Sequence, residues 1–151
     1  MKFDLIDCVL EQSDDRILAI KHVSLAEEYL EDHFPTFPVL PGVLMVETMA
    51  QAARRMLADR GDPRLVLGEV KAVRFSSFVR PGEALEIEVR LRRRLDDGGY
   101  LCNGTGRVRR HGTTPGACET AVSGRFTMRP ICRPPSTIAQ GPDQKPDTRS
   151  P

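Results

Sequence analysis

His33-Phe34-Pro35-Thr36-Phe37-Pro38-Val39-Leu40-Pro41-Gly42 runs directly into Val43-Leu44-Met45-Val46-Glu47-Thr48-Met49-Ala50-Gln51-Ala52-Ala53, and this stretch decides the fold. From Gly42 to about Ala58 the pattern is helical, with only Glu47, Thr48 and Gln51 polar before the arginines at 54 and 55. A helix so apolar on every side is one that other elements wrap almost completely. A carboxylate inside it costs several kcal/mol unless it is paired or neutralised. His33, fourteen positions upstream, is the candidate partner for Glu47. Prolines at 35, 38 and 41 fix φ at every third residue and predict a stiff, extended segment between the two.

Outward from this stretch the chain reads as strands. Residues 3–10 and 16–24 flank Gln12-Ser13-Asp14-Asp15 and predict an opening hairpin. Beyond Asp59-Arg60-Gly61-Asp62-Pro63 the pattern alternates over Leu65–Phe75 and Ala84–Leu95, the latter with Leu85, Ile87, Val89 and Leu91 on one face. Glu86, Glu88, Arg90 and Arg92 take the other face, as in a sheet with one wet side. Asp96-Asp97-Gly98-Gly99 predicts a hairpin turn into Tyr100–Arg110, and Cys118–Met128 follows a Gly/Thr/Pro loop at 111–116. Two strands, one buried helix and about four strands predict an α+β fold in which a strongly curved antiparallel sheet of about six strands packs around one central helix.

The 151 residues suit one domain, read as 1–129, followed by a proline-rich tail at 130–151 expected to be disordered. A formal net charge of +1 excludes any global pull toward nucleic acid or an anionic membrane. The arginines at 90, 92, 93, 94, 107, 109 and 110 lack the interleaved aromatics that base stacking needs, so no nucleic-acid partner is expected. Cys8, Cys102, Cys118 and Cys132 form no CxxC pair and have no histidine at ligand spacing, which predicts free thiols rather than zinc or a disulfide framework. Acids among the first seven residues interrupt any signal-peptide core, and no run reaches the length of a membrane span, so the cytoplasm is expected.

The chemistry gathers around three groups. His33 offers an imidazole as general base, Glu47 a carboxyl group to donate or orient a proton, and Gly42 a helix-terminal N–H open to close approach by a carbonyl oxygen. That set suits abstraction of a proton alpha to a thioester carbonyl with loss of a beta substituent. On residues alone a second reading stands beside it: a structural loop histidine, and a Glu47–Gln51 pair satisfied within a buried network. His22 on a strand and His111 in a loop read as structural or exposed.

His-Phe-Pro-x-x-Pro-x-x-Pro-Gly-Val-Leu at 33–44, followed by Glu-x-Met-Ala-Gln at 47–51, resembles the 3-hydroxyacyl-[acyl-carrier-protein] dehydratase family of the hotdog fold. Val23-Ser24, Arg74-Phe75 and Pro81-Gly82-Glu83 extend the resemblance over about residues 5–128. It implies a homodimer, or a trimer of dimers, in which His33 of one protomer meets Glu47 of the other. Gly42 N–H would polarise the thioester carbonyl, Gln51 would orient Glu47, and Phe34, Phe37, Val39, Val43 and Met45 are candidates to line an acyl tunnel. Glutamate at 47 resembles the plain dehydratases, not the dehydratase-isomerases with aspartate there, so a trans-2-enoyl product without double-bond migration is implied. The implied substrate is a thioester on acyl-carrier protein or coenzyme A, in fatty-acid or related lipid or polyketide synthesis, with no metal and no organic cofactor. An acyl-thioester hydrolase and a non-catalytic acyl-binding protein are the alternatives on the same fold.

The sequence departs from that pattern in three places. It starts late, without the proline-histidine-arginine segment common before the Leu5-Ile6-Asp7 region. Asp32 replaces the usual glycine before His33, which predicts a raised proton affinity for the histidine if the side chains approach. Ser76-Ser77-Phe78 stands where basic residues usually follow Arg-Phe, leaving Arg54, Arg55, Arg60, Arg64, Arg74 and Arg80 as substitutes for docking an acidic carrier protein.

Overall fold

A computed structural model describes residues 3–60, 64–110, 112 and 118–131. The strands are β1 (Cys8–Gln12), β2 (Arg16–His22), β3 (Leu65–Phe75), β4 (Ala84–Arg94), β5 (Tyr100–Arg109) and β6 (Glu119–Pro130), with the helix α1 at Gly42–Met56. They form one antiparallel sheet in the order β1-β2-β4-β5-β6-β3, so β1 and β3 are its edges. α1 packs against β2 through β6, the contact pattern of a sheet wrapped about a helix. The six-strand, one-helix expectation is met.

The core is the inward face of each strand closing on α1. Leu85, Ile87 and Val89 of β4 are fully buried, as are Met49, Ala50, Ala52 and Ala53 of the helix. Small residues let the two layers approach: a Cβ at Gly104 of β5 would run into the Met49 sulfur, so only glycine fits there. Leu57 N–H bonds Ala53 O to end α1, with Arg54 and Arg55 in its last turn facing the negative end of the helix dipole.

Four expectations need correction. The first strand covers only Cys8–Gln12; residues 3–6 instead lie along α1, where Arg55 Nη2 donates to both carboxylate oxygens of Asp4 at 2.9 and 2.8 Å, and Asp7 N–H already bonds Ile20 O of β2 at 2.9 Å. Strand β6 runs through Pro130, inside the expected tail, because Leu65 of β3 pairs with it and Ile131 N–H bonds Arg64 O at 3.0 Å. Proline is tolerated there because pairing with β5 stops at Met128, so no ladder bond from β5 is lost. The rest of the tail and His111 lie outside the described residues. Thirdly, α1 ends at Met56 and is not wrapped on all sides: Thr48–Ala53 is buried throughout, but Val43 is 74% exposed and Leu44, Val46 and Glu47 are half-buried. Finally, the proline segment is not extended throughout: Pro41 has φ −56° and ψ 137°, but the chain bends at residues 34–37. Phe34 N–H bonds Phe37 O at 3.3 Å and Phe37 N–H bonds Phe34 O at 3.0 Å, closing a turn in which Pro35 supplies the fixed φ and its ψ stays free to bend.

Candidate active site

The turn fixes His33. Val39 N–H donates to His33 O at 3.0 Å, and His33 Nδ1 lies 3.0 Å from Val39 O. A carbonyl oxygen only accepts, so Nδ1 carries the proton of the neutral ring and Nε2 keeps its lone pair. Phe34, joined to His33 by a cis peptide, stacks on the imidazole with ring centroids 4.4 Å apart. Leu40 N–H bonds Val79 O at 2.8 Å and ties the turn to the segment between β3 and β4.

His33 opens onto a cleft of about 520 Å³. One wall is Val39, Leu40, Gly42 and Met45; the other is Phe75, Ser76, Ser77, Phe78 and Glu119. Gly42 starts α1 behind Pro41, so its N–H belongs to the first turn, where no intrahelical acceptor exists and the helix dipole is positive. The approach is close: a Cβ on Gly42 would sit 2.8 to 3.2 Å from the Phe75 ring. At the rim, Arg110 donates to Glu119 at 2.7 Å, to Glu83 at 2.9 Å and to Ser77 at 3.2 Å. The Arg110 bond, with a second from Ser77, holds the Glu119 carboxyl below the ordinary range.

Glu47 does not line this cleft. Its Oε1 accepts from Gln51 Nε2 and from Arg54 Nη1, each at 3.1 Å, and its side chain is 30% exposed. The partners of Glu47 within the chain are therefore Gln51 and Arg54, not His33. Gln51 Oε1 in turn accepts Leu5 N–H at 2.7 Å. Val43, Phe34 and Phe37 are all exposed, whereas Val39 and Met45 are buried in the cleft wall. Asp32 faces a different cavity, lined by Phe3, Lys21, Glu27 and Tyr29 among others, and among the described residues no bond joins it to His33.

Sequence reasoning offered Arg54 only as a docking cation and missed its bond to Glu47, although its spacing from Glu47 and Gln51 places all three on one helical stripe. It also missed Lys21, buried on β2, which donates to Glu27 at 2.9 Å. Burial alone would raise the Glu27 carboxyl, but hydrogen bonds from Tyr29 and Lys21 outweigh it and leave it lowered. This cluster anchors the chain just before the His33 turn. The expected docking arginines are mostly engaged: Arg55 with Asp4, Arg60 with Asp14 O, and Arg80 over the Phe37 ring at 4.4 Å. Among the described residues, no group of His, Cys, Asp and Glu could hold a metal ion, and no helix is long and apolar enough to cross a membrane.

Residues 9–106, more than half of the chain, match the ApeI-like family, described as ApeI dehydratase. The chain belongs to the ApeI-like dehydratase family. This ApeI-like chain is also similar to the 3-hydroxyacyl-[acyl-carrier-protein] dehydratase FabZ of Pseudothermotoga lettingae, 44% identical over 91 residues that cover 60% of this chain and 65% of that protein. The protein of the same name from Solibacter usitatus is 40% identical over 96 residues, covering 61% and 59%. The chain thus spans less than two thirds of the length of these curated relatives. Its structure resembles the dehydratase heterocomplex ApeI:P from Xenorhabdus doucetiae, with a TM-score of 0.64 at 16% identity over 85% of this chain and 99% of that one. It also resembles an acyl-CoA hydrolase from Agrobacterium tumefaciens, with a TM-score of 0.62 at 18% identity over 82% and 46%. Those likenesses concern the fold, and this ApeI-like chain has the hotdog fold.

Proposed function

We propose that this ApeI-like protein dehydrates 3-hydroxyacyl thioesters to trans-2-enoyl thioesters without double-bond migration, using His33 and Glu47. The observation that carries the reading is the pairing of two groups in one cleft: a histidine whose Nδ1 is held by Val39 O, and the first-turn N–H of Gly42. Nε2 removes the alpha proton, and the electron density moves onto the thioester carbonyl oxygen, where Gly42 N–H and the helix dipole stabilise it. The carbon–carbon double bond forms as the bond to the 3-hydroxyl breaks, and that oxygen leaves as water with a proton from Glu47.

Glu47 reaches the cleft from a second copy of the chain. Met45 lines the cleft and Glu47 follows two residues later, so at about 100° per residue the two side chains leave the helix on roughly opposite sides. Association is further supported by the exposed apolar residues beside the cleft, Val43, Phe75 and Phe78. The quaternary structure is then a homodimer, or three dimers in a hexamer. Phe34, Phe37, Val43 and Gln51 complete the substrate-binding surroundings of His33, Gly42 and Glu47, with no cofactor. The two curated relatives are named for carrier-protein substrates, which supports an acyl-carrier-protein thioester over coenzyme A, in fatty-acid or related lipid or polyketide synthesis.

The test is to incubate the protein with a 3-hydroxyacyl thioester, on carrier protein and on coenzyme A, while following enoyl absorbance and free thiol together. Enoyl formation abolished by His33→Ala is expected. Thiol release without enoyl would mean a hydrolase, and binding without either product would mean an acyl-binding protein.

A further inference from the structure

Glu47 is held from two directions, and both holds end on the same oxygen. Gln51 Nε2 and Arg54 Nη1 each donate to Oε1 at 3.1 Å, while Oε2 takes no hydrogen bond among the described residues. Each donor is itself anchored. Gln51 Oε1 accepts Leu5 N–H at 2.7 Å, which ties it to the segment before β1. Arg54 Nε donates to Leu65 O at 2.9 Å, which ties it to the start of β3. Residues 47, 51 and 54 share one stripe of α1, so one helix presents the carboxylate and both of its restraints.

From this we infer that Arg54 is a positioning residue for the proposed reaction: bridging Glu47 Oε1 and the Leu65 carbonyl, it fixes the carboxyl plane so that Oε2 faces the reacting hydroxyl. The inference rests on the assignment of Glu47 above. A charged guanidinium suits the task better than an amide alone, because its Nε and Nη donors are rigidly spaced and bond two acceptors at once. Glutamine at 51 fixes the carboxyl group from one side only; the second hold stops it turning about its last torsion, which is broad in an unrestrained side chain. A carboxyl group that turns freely offers Oε2 to the substrate for only part of the time, and misplacement of a reacting group is costly in rate. Arg55, next to Arg54 on α1, is engaged by Asp4, and Arg54 is the cation bonded to Glu47.

Two measurements test this. Nitrogen NMR of the arginine side chains of the full-length protein reads the hold directly: Arg54 should show resolved, slowly rotating Nη signals that collapse in Glu47→Ala. Averaged Arg54 signals in the unaltered protein would overturn the inference whether or not the protein is a dehydratase. In the dehydration assay, Arg54→Met should lower kcat by about tenfold or more with KM changed by less than about twofold, and Arg54→Lys, which keeps one charged donor, should recover part of the loss. An unchanged kcat, or a loss confined to KM, would also overturn it. Absence of dehydration by the unaltered protein would instead refute the proposed function and leave the NMR result to decide the hold.

Discussion

Replacing Glu88 with glutamine should weaken the sheet at neutral pH and much less at pH 3. Glu88 stands on the outer face of β4 with 12% of its side chain exposed, and it joins three strands. Its Oε1 accepts from Arg16 Nε of β2 at 2.8 Å and from Arg90 Nη2 at 2.7 Å, and its Oε2 from Arg107 Nη1 of β5 at 3.3 Å. The Arg16 hydrogen bond is the largest influence; it outweighs burial and, with Arg90 and Arg107, holds the carboxyl down to about 2 from 4.5. A depressed carboxylate contributes stability that is present above its unfolded value and lost as pH falls through the folded one, so the window runs from about 4.5 down to about 2. At roughly 1.4 kcal/mol per unit the displacement amounts to at most about 3.5 kcal/mol. Screening of the partly exposed arginines brings the expectation to about 2 kcal/mol. By pH 3 the unfolded carboxyl is mostly protonated while the folded one is still mostly ionised, so more than half of that contribution is gone. Urea melts of the unaltered protein and Glu88→Gln at pH 7 and pH 3 measure it, because other carboxylates cancel in the difference. A gap under about 0.5 kcal/mol at pH 7, or one that does not shrink at pH 3, would refute the reasoning.

Other substitutions read the site and the core. Gln51→Met removes the acceptor of the buried Leu5 N–H and one donor to Glu47, so it should cost about 1–3 kcal/mol in a urea melt and lower kcat as well. Gly104→Ala places a methyl group against Met49 and 3.1 Å from the Phe126 ring, and an overpacking loss of about 1–3 kcal/mol is expected by thermal unfolding. Burial pushes the Cys102 thiol up to about 12, so iodoacetamide at pH 8 should alkylate exposed Cys8 and spare Cys102 until the protein is unfolded, as read by mass spectrometry of the peptides.

The fold was legible where periodicity was strong. The alternation at Leu85, Ile87 and Val89 against Glu86 and Glu88 placed β4 to within a residue, because a sheet with one wet face writes its burial directly into the sequence. The first strand was misjudged because Leu5 and Ile6 are buried as strand residues would be, yet they are buried against α1. The turn at Phe34–Phe37 was illegible for a different reason: proline fixes φ but not ψ, and hydrogen bonds between the two phenylalanines decided the bend. In the site, the sequence marked Glu47 as a charge needing a partner, and within one chain that need is met by Gln51 and Arg54. Arg54 was read as a surface cation because helical spacing alone does not separate a solvated arginine from one anchored at both ends of its guanidinium.

The uneven burial of α1 links that misreading to the proposed function. A helix that needed only to fill a core would be buried along its whole length, as Thr48–Ala53 is. Its first turn and a half behaves otherwise: Val43 is open, Leu44 and Val46 are half-covered, and Phe75 and Phe78 lie exposed nearby. Covering a Val or Phe side chain contributes about 1.5–3 kcal/mol, so leaving this group in water forgoes several kcal/mol that a second surface would recover. That forgone burial lies at the end of the helix that also holds Gly42 and Glu47, one in the cleft and the other facing away from it. The same helix would therefore serve two clefts, its N–H in one and its carboxyl group in the other. Under the proposed function, the apolar contact that joins two copies is what completes each site.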